Sequence, residues 1–349
     1  MHKIAVLTSG GDSPGMNAAV MSIARCASIM NMQLIGIRRG FNGLIGLSPD
    51  PRDDLTELTL ETVLDIADLP GTYLRTARCP EFMDPAIQKK AAQLLNSLDI
   101  GGLVVIGGDG SFRGAQALSA LGIPCIGIPG TIDNDLGYTD TSLGFDTAVN
   151  VCMEAVRAIR ATSRSHDRPA IVEVMGRNCG SIALTTALST GSEIVIVPET
   201  EGWDIMNIAK RLRFLMDSGN TRASIIVAEG AYQTMAPFDT YGYLKDFTPK
   251  VFEGQPMDAF LMARVLRRAT GAQVRANVIG YTQRGHQPTA KDAAFAFEAG
   301  VMAVSLLKSG KTNRVIGTRN GHVVHMDIDE AITIKPEFNR RMYNMVNAL

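Results

Sequence analysis

The sequence predicts an α/β protein built on parallel sheets and long enough for about two domains. Three observations carry this. Short β-branched runs alternate with helix-length amphipathic segments along most of the chain. Those runs are apolar almost throughout instead of alternating, which is the pattern of strands covered on both faces. Finally, 349 residues, 46% of them apolar, suffice for two cores, at a prior of roughly 150 residues per domain.

Strands are expected at 3–8 (KIAVLT), 33–37 (QLIGI), 102–108 (GLVVIGG), 125–130 (CIGIPG), 170–175 (AIVEVM), 193–198 (EIVIVP), 224–228 (SIIVA) and 274–280 (VRANVIG). Helices, with apolar residues three and four apart, are expected at 16–30, 86–98, 147–161, 181–189, 205–216 and 292–307. Residues 314–326 read as a hairpin turning at Asn320-Gly321. One stretch, 231–258, has no clear period and is rich in aromatics and prolines. It is long for a plain connection, so a lid, an interface element or a surface excursion is expected there.

Composition excludes several classes of function. A formal net charge of −1 gives no reason to expect nucleic acid or an anionic membrane as partner. No apolar run approaches the ~18 residues of a membrane span, and the N-terminus opens straight into a strand without a leader pattern. Cys26, Cys79, Cys125, Cys152 and Cys179 are scattered, odd in number and free of CxxC spacing. They read as free thiols in a reducing compartment, so a soluble cytoplasmic protein is expected.

Four loops carry the chemistry. In TSGGDSPGMNAAV a strand ends at Thr8, and Gly10, Gly11 and Gly15 precede a helix. Such glycines let a phosphate approach backbone N–H groups at a helix N-terminus. The spacing is neither a Walker loop nor a GxGxxG fingerprint, and a simple tight turn reads equally well. In VVIGGDGSFRGAQAL, Gly107, Gly108 and Gly110 surround Asp109, and Ser111 is expected to cap the following helix. A carboxylate among glycines suits a Mg²⁺ bridge to a nucleotide; a capping role for Asp109 is the alternative. In VEVMGRNCGSIALTT, Arg177 follows a strand, where an arginine can stabilise a transferring phosphoryl group or form an ion pair. In PGTIDND, Asp133 and Asp135 stand two apart behind Thr131. Two carboxylates this close repel each other, which suits work on a metal, a proton or a hydroxyl. Together these are the parts phosphoryl transfer needs, because its catalysis is mostly positioning and charge stabilisation.

In order, GGDSPGMNAA, GGDGS, PGTIDND, VEVMGR and GYTQRG resemble the motifs of bacterial ATP-dependent 6-phosphofructokinases, from Lys3 to about Gly310. The resemblance implies two Rossmann-like three-layer α/β domains: 1–144 plus 283–333 for ATP, and 145–282 plus 334–349 for the sugar phosphate. It implies that Asp133 takes the proton of the sugar 1-hydroxyl, that Thr131 holds the transferring group and that Asp135 supports Asp133 and the hydrated metal. Asp109 is the implied Mg²⁺ carboxylate. Gly11, Arg78, Cys79, Gly108, Asp109, Gly110 and Ser111 match ATP contacts. Arg177, with Arg78, matches the arginines near the transferring phosphate; Met175, Gly176 and Glu229 match sugar contacts. Arg284 and, in place of the usual histidine, Tyr281 match 6-phosphate contacts. Arg168 and Arg275 would reach that phosphate from a neighbouring subunit, which implies a homo-oligomer, expected to be a tetramer.

Departures from the family pattern narrow the reading. Pyrophosphate-dependent relatives carry Asp where Gly110 stands and Lys where Gly130 stands, so ATP is the expected donor. A non-catalytic regulatory paralogue would be expected to lose Asp133 or Arg177, and both are present. NAD kinases also carry a GGDG motif but not the other loops. Phe41 occupies a commonly tyrosine position near the adenine. Arg25, Arg160 and Glu193 match parts of the site where many bacterial relatives bind ADP or phosphoenolpyruvate. Met21, Ser218 and Asn220 replace three cations expected there, so weak or absent effector binding is expected.

Overall fold

This computed structural model describes residues 2–46, 54–244 and 255–348. The chain opens with β1 (Lys3–Thr8), α1 (Met16–Ile29), β2 (Gln33–Ile37), β3 (Leu55–Glu57) and α2 (Leu60–Val63). Next come α3 (Pro85–Ser97), β4 (Leu103–Gly107), α4 (Asp109–Ala120), β5 (Cys125–Pro129) and the long α5 (Phe145–His166). These are followed by β6 (Ala170–Val174), α6 (Ser181–Thr190), β7 (Ile194–Ile196), α7 (Ile205–Asp217), β8 (Ser224–Ala228) and α8 (Thr240–Leu244). The chain closes with α9 (Ala259–Thr270), β9 (Arg275–Val278), α10 (Ala290–Lys308), β10 (Arg314–Arg319), β11 (His322–Asp327), α11 (Ile328–Ala331) and α12 (Arg340–Val346).

The chain divides into two compact units, one of residues 1–148 and 284–337, the other of 149–283 and 338–349. Unit 1 holds a seven-stranded sheet in the order β11-β10-β5-β4-β1-β2-β3. Its strands are parallel except at the two edges, where β3 and β11 pair antiparallel. The apolar runs alternate between two buried faces. Ile4, Val6, Val104, Ile106, Ile126 and Ile128 pack with α1 and α10, while Ala5, Leu7, Leu103, Val105 and Cys125 pack with α3 and α4. This double coverage is why the strands read as continuous apolar runs. Unit 2 holds a four-stranded, wholly parallel sheet in the order β7-β8-β6-β9. One face packs through Ile171, Ile225 and Val227 against α7 and α9.

Both units are α/β, as expected, and each sheet puts its loops at strand C-termini, where open α/β sheets bind ligands. β3, α9 and α12 were not among the expected elements. The expected cap at Ser111 is also corrected. The helix starts three residues earlier, with Gly108 in the cap position and Asp109 as its first residue. The glycines let the chain turn into the helix at once, so Ser111 lies buried in the first turn, its amide donating to the Gly108 carbonyl at 3.0 Å. The excursion expected over 231–258 forms a short 3₁₀ turn to Gln233 and α8, and residues 245–254 lie outside the described residues. The five cysteines are free, as read. Among the described residues no helix is long and apolar enough to cross a membrane.

The N-terminus of α5 is closed from a distance. Asp292, only 1% exposed, accepts from the Gly144 amide (3.1 Å), the Thr147 amide (2.8 Å) and the Thr147 hydroxyl (2.5 Å). Burial lifts its carboxyl above the usual range in spite of these bonds. Removing it strands several buried donors, each costing ~1–3 kcal/mol. Asp292→Ala is therefore expected to lose roughly 2–5 kcal/mol of stability in denaturant unfolding. A loss below about 0.5 kcal/mol, the usual scale of a neutral surface change, would contradict this anchoring role.

Candidate functional site

In unit 1 the expected donor residues meet at the C-terminal ends of β1, β4 and β5. The segment after Leu74 lies along the first glycine turn: Gly10 donates to the Ala77 carbonyl (3.2 Å), and Thr76 Oγ1 donates to the Gly10 carbonyl (3.0 Å). That places exposed Arg78 and half-buried Cys79 one and two residues beyond the contact; burial pushes the Cys79 thiol up. The second turn joins the aspartate loop through Gly130, whose amide donates to the Gly107 carbonyl at 2.9 Å. Arg284 lies over the first turn, donating through Nη1 to the Asp12 carbonyl at 2.6 Å. A Cβ on Gly11 would stand 2.9 Å from that nitrogen, so glycine is what admits the guanidinium.

Asp109 is part-exposed and pairs with Arg113 one turn on, at 3.0 Å. So exposed a pair is worth little, ~0–1 kcal/mol, and can yield to another partner. Two glycines differ in the room around them. A Cβ at Gly110 would meet nothing within 4 Å, whereas one at Gly130 would press on Met16 Cε at 2.8 Å and on Ile106 at 3.1 Å. A side chain therefore fits at 110 and does not fit at 130 without repacking.

The loop 130–143 is closed by its own polar groups. Gly130 and Leu143 form a parallel bridge at its base. Ser142 Oγ donates to the Thr131 carbonyl at 2.6 Å, and the Ser142 amide donates to Asn134 Oδ1 at 2.9 Å. Asn134 sits between the two aspartates with φ 54°, a left-handed conformation that asparagine tolerates better than most residues. Thr131 Oγ1 accepts from the Asp133 amide at 3.2 Å. Asn134 and Ser142 were absent from the expected site; they fix the backbone on which Thr131, Asp133 and Asp135 ride.

In unit 2, β6 runs into Met175-Gly176-Arg177. Gly176 has φ 135°, which a side chain would strain, and Arg177 follows at φ 53°. The Arg177 amide donates to Glu229 Oε1 at 2.9 Å, so one carboxylate holds the turn. Gln283, fully buried, accepts from the Met175 amide (3.2 Å) and the Cys152 thiol (3.1 Å) and donates to the Gly280 carbonyl (3.1 Å). It ties the Arg177 turn to the segment bearing Tyr281. Glu173, Met175, Glu229 and Tyr281 line one cleft of about 290 Å³. Glu173, another residue outside the expected set, has its carboxyl raised by burial, with Glu229 and Asp258 adding to the effect and Tyr232 opposing it. Tyr281 is 82% exposed. Arg168 and Arg275 line a different cleft, of about 460 Å³, together with His166 and Ser163. The expected sugar residues of this unit thus fall into two groups.

Residues 3–307 match the sequence profile of the phosphofructokinase family. The chain belongs to this family. It is 45% identical over 349 residues to the ATP-dependent 6-phosphofructokinase of Clostridium tetani, and 42% identical to that of a Clostridium botulinum strain; both alignments cover 100% of this chain and 99% of the relative. Among solved structures it is similar to the T-state phosphofructokinase of Pichia pastoris, with a TM-score of 0.82 and 29% identity. That match covers 95% of this chain and 35% of the Pichia chain, so this phosphofructokinase spans about a third of its length.

Among the described residues no group of three or more His, Cys, Asp or Glu side chains converges as a metal cage. A nucleotide-bound Mg²⁺ needs only one or two carboxylates, because phosphates and water complete its shell. Asp109, part-exposed in a glycine turn, fits that demand.

The carboxylate of Glu193, matched to the effector site of bacterial relatives, is already engaged by its own unit. Arg160 Nη1 stands 3.1 Å from it, Asn220 Nδ2 2.9 Å, the Ser224 amide 2.8 Å and Ser224 Oγ 3.0 Å. Burial pushes this carboxyl up, yet the bonds from Ser224 and Asn220 and the charge of Arg160 outweigh it and leave it below its usual value. Each charge-assisted hydrogen bond an anion loses with the absent cations costs ~1.5–3 kcal/mol. Calorimetric titration with phosphoenolpyruvate is expected to show no binding tighter than about 1 mM. Micromolar binding, lost in Arg25→Ala, would mean the reduced pocket still works.

Proposed function

We propose that the chain transfers the γ-phosphoryl group of ATP to the 1-hydroxyl of fructose 6-phosphate, giving fructose 1,6-bisphosphate and ADP in glycolysis. The observation that carries the reading is the hydrogen-bonded junction of the aspartate loop with the Gly107–Gly108 turn at the C-terminal ends of β4 and β5. It supports reading the aspartate loop as a proton acceptor next to a phosphate cradle. The relatives at 42–45% identity, named for ATP-dependent 6-phosphofructokinase, support the same substrates.

In this reading Gly11, Arg78, Cys79 and the Gly108–Ser111 turn hold the nucleotide. Backbone amides of the turn and the Arg78 guanidinium offset its phosphate charge. Asp109 would hold Mg²⁺, which neutralises charge on the transferring group when bound. Asp133 takes the proton of the sugar hydroxyl as that oxygen attacks phosphorus. Asp135 supports Asp133, and Thr131 orients the phosphoryl group. Met175, Gly176 and Glu229 hold the sugar, and Arg177 stabilises charge developing in transfer. Arg284 and Tyr281 bind the 6-phosphate, joined by Arg168 and Arg275 of a neighbouring copy. The separate cleft of those two arginines supports such sharing, and a cytoplasmic homotetramer is the assembly proposed.

ATP rather than pyrophosphate follows from glycine at 110 and 130. A lysine at position 130 would have to displace the tip of Met16, which packs on Gly130. The open space at Gly110 makes a clean test, because Asp fits there without disturbing the fold. Gly110→Asp sets a carboxylate against the nucleotide phosphates; at about 4 Å and an effective dielectric near 20 that repulsion is ~4 kcal/mol. Its kcat/KM for ATP is expected to fall on the order of 10²–10³-fold in a coupled assay, with Tm unchanged. Unimpaired ATP turnover would contradict the placing of the nucleotide phosphates beside residue 110.

A further inference from the structure

A second basic cleft in unit 2 shares only Arg275 with the reading above. It holds about 230 Å³ and is lined by Phe260, Ala263, Arg264, Arg267, Arg275 and Ala276. Residues 260, 263, 264 and 267 are one face of α9, at the three- and four-residue spacing of a helix; Arg275 and Ala276 come from β9 beside it. Two independent elements therefore bring three arginines to the lining of one small hollow.

The hollow is built. Arg267 is pinned by its Nε, which donates to the Val274 carbonyl at 2.6 Å. That bond fixes the plane of the guanidinium and uses the nitrogen away from its two terminal amino groups. Arg268, the next residue, is turned to the ring of Tyr243 at 5.0 Å and is not part of the lining. Like charges are crowded here: burial and the charges of Arg275 and Arg264 all depress the Arg267 guanidinium. Phe260, 55% exposed, stands at the rim as an apolar wall.

We propose that this cleft binds a phosphate group, held among Arg264, Arg267 and Arg275. A tetrahedral oxyanion offers three or more acceptor oxygens to three planar forks, where a carboxylate offers two. The volume lies below the 300–1,000 Å³ of a typical ligand pocket, which suits one phosphoryl group, free or as the end of an ester. Arg275 also lines the cleft of Arg168 and His166. A phosphate in the new cleft therefore draws on the arginine that the proposed function assigns to the sugar 6-phosphate, and weakens sugar-phosphate binding. This consequence rests on that reading; the binding site itself does not.

The test is calorimetric titration of the whole protein with inorganic phosphate and, separately, with glycerol 3-phosphate, in wild type, Arg264→Gln and Arg264→Lys. Phosphate binding is expected to weaken at least about tenfold in Arg264→Gln and less in Arg264→Lys, which keeps the charge and loses the fork. Tighter binding of the ester than of free phosphate would identify a phosphate ester as the occupant, and equal binding free phosphate. In phosphate-free buffer Arg264→Gln should keep the wild-type KM for fructose 6-phosphate within about twofold. Added phosphate should raise that KM in wild type and much less in the variant. Titration curves of both variants that superimpose on wild type would overturn the site. If no variant phosphorylates fructose 6-phosphate, the proposed reaction fails, while the titrations still decide the cleft.

Discussion

The structure depends on keeping two carboxylates, two residues apart, in one fixed loop. Left to themselves Asp133 and Asp135 repel, and the chain 130–143 would relax to part them. Ser142 prevents this by donating to the Thr131 carbonyl and, through its amide, to Asn134. Asn134 adopts the left-handed turn between the two aspartates while its side chain accepts from the Ser142 amide. A net hydrogen bond is worth ~0.5–1.5 kcal/mol, so these few bonds are on the scale needed to hold one loop conformation. The bridge of Gly130 to Leu143 then sets the loop on the end of β5.

Everything else in unit 1 is arranged to meet that loop. Parallel order places β1, β4 and β5 side by side with their C-termini together, so turns separated by about a hundred residues of chain become neighbours. Glycine is used where the turns touch: Gly107 and Gly130 share a backbone bond, and Gly11 leaves room for Arg284. Unit 2 solves a similar problem with other parts. The Arg177 turn is held from outside by Glu229 and Gln283 in place of a local lock.

Much of this was legible because its causes are local. Doubly buried strands show as unbroken apolar runs, and SIIVA and QLIGI became β8 and β2 with no change of boundary. The aspartates, Arg177 and the glycine turns were named from their loops. What was missed has causes that act at a distance. Ser142 matters through a carbonyl eleven residues away, and Gln283 through an amide over a hundred residues away. Helix α9 was bracketed by a readable cap at Asp258 and a left-handed Gly271, yet it follows a stretch without period and was passed over. Glu173 could have been found as the one acid in an apolar strand. Arg168 and Arg275 stand at the N-terminal ends of the parallel strands β6 and β9, whereas Tyr281 lies beyond the C-terminal end of β9, and this separates their clefts.

The central claim is that the locked loop makes Asp133 the proton acceptor of phosphoryl transfer. Steady-state kinetics of Asp133→Ser test it most directly, because the change removes the carboxylate and leaves the Ser142 and Asn134 bonds in place. The account predicts that kcat falls on the order of 10²–10⁴-fold, with KM for ATP and for fructose 6-phosphate within a few-fold of wild type. A kcat within about threefold of wild type would contradict it.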